Sequence, residues 1–250
     1  MDLRKGFHEP TEKPRRFYKE VSVAPVDDGF AVLLDARRLK TPQGALMRLP
    51  TAALGDQVAK EWAGQGDILE LATMHATRLA NTAIETIGAT REAVADQIAD
   101  YAGSDLICYF AESPADLVAL QTQAWEPVLA RAEAEEQLLF IRAAGIVHRD
   151  QPPESLARIR VIALSLDDFA LAGFAFATPL FGSAVLGLGL LRGWLGGREA
   201  FDRSRVDEAF QESLWGVDTE AAERTARLRQ EAEMLERWFC GCRLTPRELA

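Results

Sequence analysis

The apolar positions change period along the chain. Between residues 17 and 49 they form the short runs FYKEVSV, FAVLL and LMRL, rich in aromatic and β-branched side chains. Turn formers bound these runs, among them Pro25-Val26-Asp27-Asp28-Gly29 and Pro42-Gln43-Gly44. The pattern predicts a hairpin that extends into a small antiparallel sheet. Thr51 then stands where a helix N-cap belongs, and Leu54, Val58 and Trp62 recur at spacing four, which predicts a helix whose stripe carries Trp62 into the core.

Helical spacing dominates from there on. It predicts helices over 76–87, over 91–101 behind the cap Thr90, and from Pro114, with Ser113 as its cap, to about residue 139. After the break at 145–153, helices are expected over 154–176, 183–195, 199–215 and 219–239. The fold class is therefore α+β: a flexible tail over 1–16, a small antiparallel β-rich domain with one helix over 17–72, and a larger all-helical domain over 73–250.

Residues 169–191 carry no charge and are long enough to cross a bilayer. Thr178-Pro179 disfavours one continuous helix, and Gly182-Ser183 supplies a fresh helix start. Asp167, Asp168 and Arg192 flank the run without the Lys/Arg cluster that orients a membrane span. Two shorter, buried helices are expected, with no membrane insertion.

The segment VDEAFQESLWGVD, residues 206–218, is the most informative locally. Val206, Phe210 and Leu214 form an apolar stripe expected to face the core. A two-residue offset turns about 200° around a helix, which puts Glu208 and Glu212 on the opposite face with Trp215 one turn on. Like charges at spacing four repel, and an outward indole is poor for solubility, so this face reads equally as a partner-binding surface or as one covered by the next helix.

Charge narrows the function classes. Lys and Arg number 28 against 38 Asp and Glu, a net of −10, which disfavours a nucleic-acid partner. Cys108, Cys240 and Cys242 are too few and too odd in number for a disulfide framework, so a reducing compartment, the bacterial cytoplasm, is expected. His8, His75 and His148 lack metal-ligand spacing, and Cys240-Gly-Cys242 is not a CxxC pair, so no metal is expected. Neither a phosphate loop nor a GxSxG elbow occurs, and no cofactor or enzymatic activity is predicted.

Several segments, in order, resemble the family of assembly chaperones for the ATP synthase alpha subunit. They are RRFYKEVSV, LDARRLKTP (with Ala36 where the family usually has Gly), LPT, Glu61-Trp62 with Gln65, and MHATRLANTAIE. DLICY, Gln121 with WEP, and QESLWGVD complete the series. Phe110 replaces a usual arginine, and WEP a usual WDP. The resemblance implies a non-enzymatic protein that binds the free alpha subunit and prevents its aggregation until the beta subunit docks; a monomer is expected. Eukaryotic members would then act in the mitochondrial matrix. With the helix geometry it singles out Glu208, Glu212, Trp215, Gly216, Asp218 and Trp62 as candidate partner-binding residues. An uncharacterised enzyme or a membrane-associated helper is the alternative.

Overall fold

The computed structural model describes residues 14–145 and 147–243. Of the expected tail, residues 1–13 lie outside that range. Residues 14–16 are anchored: Leu69 N donates to Pro14 O at 2.8 Å and Arg16 N to Asp67 O at 2.9 Å. The N-terminal part is the expected antiparallel sheet. β1 (Val21–Val26) and β2 (Gly29–Leu34) pair across a two-residue turn, Val26 facing Gly29, and β2 also pairs β3 (Arg37–Arg38) and β4 (Arg48–Leu49). The second turn is held by Asp35, whose carboxylate accepts from Lys19 N and Glu20 N.

Thr51 caps α1 (Ala52–Ala63), accepting from Leu54 N at 3.2 Å, and it donates its own hydroxyl hydrogen to Gly241 O at the far end of the chain. Glu61 ties α1 to the next helix. Its carboxylate accepts from Ala76 N, Thr77 N and Thr77 Oγ1 at 2.7–2.8 Å, satisfying donors that a helix start leaves free.

Between residues 75 and 102 the helix does not break. α2 (His75–Thr82) passes through a π-helical turn (Ala83–Ile87) into α3 (Gly88–Ala102). Thr90 is therefore no cap; its hydroxyl donates back to Thr86 O within the helix. α4 (Ala115–Glu136) starts at Pro114 behind a cis peptide, with no side-chain bond from Ser113. β5 (Tyr109–Phe110) and β6 (Ala143–Ala144) form a short parallel pair that helical spacing did not predict.

The long apolar run is two helices, divided later than expected. α5 (Pro153–Ser165) ends first, and Asp167 caps α6 (Asp168–Phe181) through Phe169 N and Ala170 N. Arg91 fixes that earlier break by binding Leu164 O and Asp168. α6 continues through Pro179 to left-handed Gly182, and Ser183 caps α7 (Ala184–Arg192), so the division falls at Gly182-Ser183. Most of both helices is buried, and among the described residues no helix is long and apolar enough to cross a membrane. The expected helix 199–215 is also two: α8 (Gly197–Ser204) and α9 (Val206–Trp215), kinked at Arg205.

α10 (Thr219–Cys242) closes the chain. Its second half is core: Trp238 and Phe239 are buried, and the Trp238 indole donates to Phe169 O at 2.9 Å. A single apolar cluster runs from Val32 in the sheet through Leu54 and Phe174 to Trp238, so packing continues across the change from β to α. Gly197 admits α10 to this position, since a Cβ there would lie 2.2 Å from Ala232 O, a backbone atom that cannot swing aside.

Asp105 also serves the fold. Its carboxylate accepts from Ile107 N at 3.3 Å and Val185 N at 3.0 Å, capping α7 from a fully buried position. Burial pushes the carboxyl up to about 6, although hydrogen bonds from Ser183 and Val185 pull the other way.

Two expectations follow from these contacts. Gly197→Ala should cost about 1–3 kcal/mol or more by overpacking, read as a lower melting temperature. For Asp105 the folded pKa lies above the unfolded one, so the unfolded chain loses this proton first as pH rises. The group's stabilising contribution is therefore present below about pH 4 and lost as pH rises through about 6. The stability gap between wild type and Asp105→Asn should widen as pH falls from 7 towards 4, by on the order of 2–3 kcal/mol. A gap that is flat with pH would show that Asp105 is ionised normally.

Candidate functional site

The Arg205 backbone (φ −120°, ψ 24°) turns α9 away from the line of α8, so that it rests mainly on α4. One buried amide holds it there. Gln121 of α4, 1% exposed, accepts from Ala111 N at 2.7 Å and donates to Asp207 at 2.6 Å. Trp125 donates its indole hydrogen to Arg203 O at 2.8 Å just before the kink. Beyond Asp207 the helix rises between two grooves. One is lined by Val206, Ala209, Phe210 and Ser213, the other by Asp207 and Gln121.

No residue of α9 is fully buried, which corrects the expected core stripe. Val206 packs against the core, Phe210 is half-buried in the groove wall, and Leu214 is 59% exposed. The physical reason is the kink. A continuous helix over 199–215 would have kept one face inward, whereas a short helix on one main neighbour buries only its first turn.

The carboxylates are not left to repel each other. Arg205 lies between them, 3.6 Å from Glu208 and 3.2 Å from Glu212, with its guanidinium 6.0 Å from the Phe201 ring centroid. Glu208 is half-exposed and Glu212 partly so. Sequence spacing found the two glutamates but missed Arg205, although positions three and seven residues before them are within reach on a helix.

Trp215 is 78% exposed, and Val217 beside it 57%. The succeeding helix does not cover the indole. Gly216 ends α9 at φ 85°, a positive-φ backbone that suits glycine, and Asp218 caps α10 through Ala221 N at 3.2 Å. The corner thus presents Leu214, Trp215 and Val217 outward. From Val206 to Glu223 it carries six acidic residues, Asp207, Glu208, Glu212, Asp218, Glu220 and Glu223, and no basic one.

Trp62 does not join this surface. It is 8% exposed, its ring lies 5.7 Å from that of Tyr18 at a tilt of 58°, and its carbonyl accepts from the Tyr18 hydroxyl at 2.6 Å. Its position is that of a core residue, as its helical stripe indicates, and among the six candidates it alone stands apart. His8 lies outside the described residues, His75 approaches Glu231 at 3.8 Å, and His148 bonds Tyr109 and Asp150. Among the described residues no cluster of metal-ligating side chains forms.

A family model described as ATP12 chaperone protein matches residues 15–133, ending within α4. The chain is 25% identical over 226 residues to the mitochondrial protein atp12 of Schizosaccharomyces pombe, covering 86% of this chain and 78% of that one. Its fold matches the crystal structure of Atp12 from Paracoccus denitrificans with a TM-score of 0.84 and 36% identity, over 92% of this chain and 98% of the other. The crystal structure of the Atu1473 protein from Agrobacterium tumefaciens matches with a TM-score of 0.85 and 38% identity, covering 92% and 87%.

The geometry separates two substitutions. Gln121→Leu leaves Ala111 N–H and the Asp207 carboxylate without this partner and should cost about 1–3 kcal/mol. Trp215→Ala removes an indole that is 78% exposed and should stay within about 0.5 kcal/mol of wild type. Chemical denaturation of the two variants checks both; a large loss for Trp215→Ala would mean that the indole is a packing residue.

Proposed function

The chain belongs to the ATP12 chaperone family, and from that premise we propose that it is a chaperone of ATP synthase assembly that holds the free alpha subunit until the beta subunit docks. The observation that carries this reading is the outward Trp215, flanked by the exposed Leu214 and Val217 on an acidic corner. Unassembled ring subunits carry apolar interfaces that aggregate, and a holding protein must cover them reversibly. An exposed tryptophan set among carboxylates suits that task, because aromatic anchors supply much of an interface's energy and charges at the rim set partner and register.

Each candidate then has a part. Trp215 is the anchor, and Gly216 and Asp218 fix the corner that presents it. Glu208 and Glu212, positioned by Arg205, offer carboxylates to basic groups of the client. Holding requires no ATP, and the sequence contains no phosphate loop. The protein acts as a monomer in the bacterial cytoplasm, where the free subunit is made.

At equimolar concentration the intact protein should suppress light scattering by isolated alpha subunit without consuming ATP. Trp215→Ala and Glu212→Lys should each weaken retention of alpha subunit by roughly 30-fold or more, the loss expected of a hot-spot residue. Glu212→Lys sets a cation against Arg205 on a solvent-facing helix, so its folding cost should stay below about 1 kcal/mol. Unchanged scattering with wild type would refute the client; retained binding by both variants would refute the corner.

A further inference from the structure

The groove beside α9 has a volume of about 790 Å³ and is walled by helices. On one side stand Val206, Ala209, Phe210 and Ser213, which at spacings i, i+3, i+4 and i+7 are one complete helix face. Leu120 and Ala124, four residues apart on α4, stand on the other. The trough thus has two apolar helix walls, and α8 closes its remaining side with Arg198, Glu199, Asp202 and Arg203. Leu120 is 46% exposed, and Phe210, the largest apolar side chain of the α9 wall, is only half-buried.

We infer that this trough seats an amphipathic helix of the client whose flanks carry Lys or Arg, a deepening that rests on the chaperone reading above. A helix is required because the walls offer side chains of helices and no free strand edge. An extended segment laid there would bury unpaired backbone groups, whereas a helix satisfies its own. Its apolar face would pack between the α9 and α4 walls by ridges and grooves.

The basic flank follows from charge. The groove's own cations are already paired: Arg203 lies 2.7 Å from Glu199 and Arg198 3.7 Å from Asp202. The acidic corner continues directly from the Ser213 end of the wall and has no basic residue up to Glu223. With Arg205 shared between Glu208 and Glu212, the corner keeps an excess of carboxylates, so a basic helix entering the trough is attracted at its end and an acidic one is repelled.

The probe is a fluorescein-labelled 18-residue peptide of Leu and Lys with leucines at i, i+3, i+4 and i+7, read by anisotropy against the intact protein. Controls are a scrambled peptide of the same composition and a Leu/Glu counterpart. The amphipathic Leu/Lys peptide should bind at least 10-fold more tightly than either. Leu120→Glu separates seating from plain attraction. It adds a negative charge at an exposed position, so mere attraction predicts tighter binding, whereas seating in the trough predicts a loss of 10-fold or more. Equal binding of the scrambled peptide, or binding undiminished by Leu120→Glu, would overturn the inference. Retention of alpha subunit by wild type is read in parallel. Alpha subunit held without peptide binding sinks the trough and leaves the chaperone reading standing; peptide bound through Leu120 without alpha subunit held does the reverse.

Discussion

The arrangement depends on where α10 is fixed. Its second half is buried among α6, α8 and α1: Trp238 bonds Phe169 O, and Ala232 O passes Gly197 where no side chain fits. Thr51 and Gln57 of α1 donate to Gly241 O and Arg237 O near its end. Those contacts hold the helix at one end. The first turns, from Thr219 to Arg224, are exposed, and the helix projects as a mounted lever with the Trp215 corner at its tip. A short loop without such a mount would not keep an indole and its carboxylates in register.

The second support is lighter. α9 is held by the Gln121–Asp207 bond to α4, the packing of Val206 against the core and the Arg205 guanidinium near Phe201 of α8. It buries no residue completely, and its stability comes largely from those three links. A helix held in this way can adjust to an incoming surface while α10 holds its end in place. That division suits a protein that must grip a client and release it unaltered.

The sheet, the helix after Thr51 and the break at Gly182-Ser183 were legible in the sequence because each is set locally, by turn formers and capping residues. The break at Asp167 was less visible. It depends on Arg91, more than seventy positions away in the chain, reaching the carbonyl of Leu164 and the carboxylate of Asp168. Conversely, Gly88-Ala89-Thr90 looks like a helix boundary, but tertiary packing carries the helix through it. At the site, spacing placed Glu208, Glu212 and Trp215 on an outer face, and the structure agrees for the indole. The stripe Val206, Phe210, Leu214 was misread as core because periodicity says which residues share a face and not what lies opposite. The opposite wall, Leu120 and Ala124, is on another helix some eighty residues earlier and carried no signal of its own.

The most direct test of the central claim is hydroxyl-radical footprinting of the intact protein, with and without free alpha subunit. The account predicts that Trp215 and Leu214 are readily oxidised in the free protein and strongly protected in the complex, with Leu120 protected beside them and Phe17 on the sheet side unchanged. Protection centred on Phe17 or elsewhere, with Trp215 still oxidised at its free rate, would contradict it.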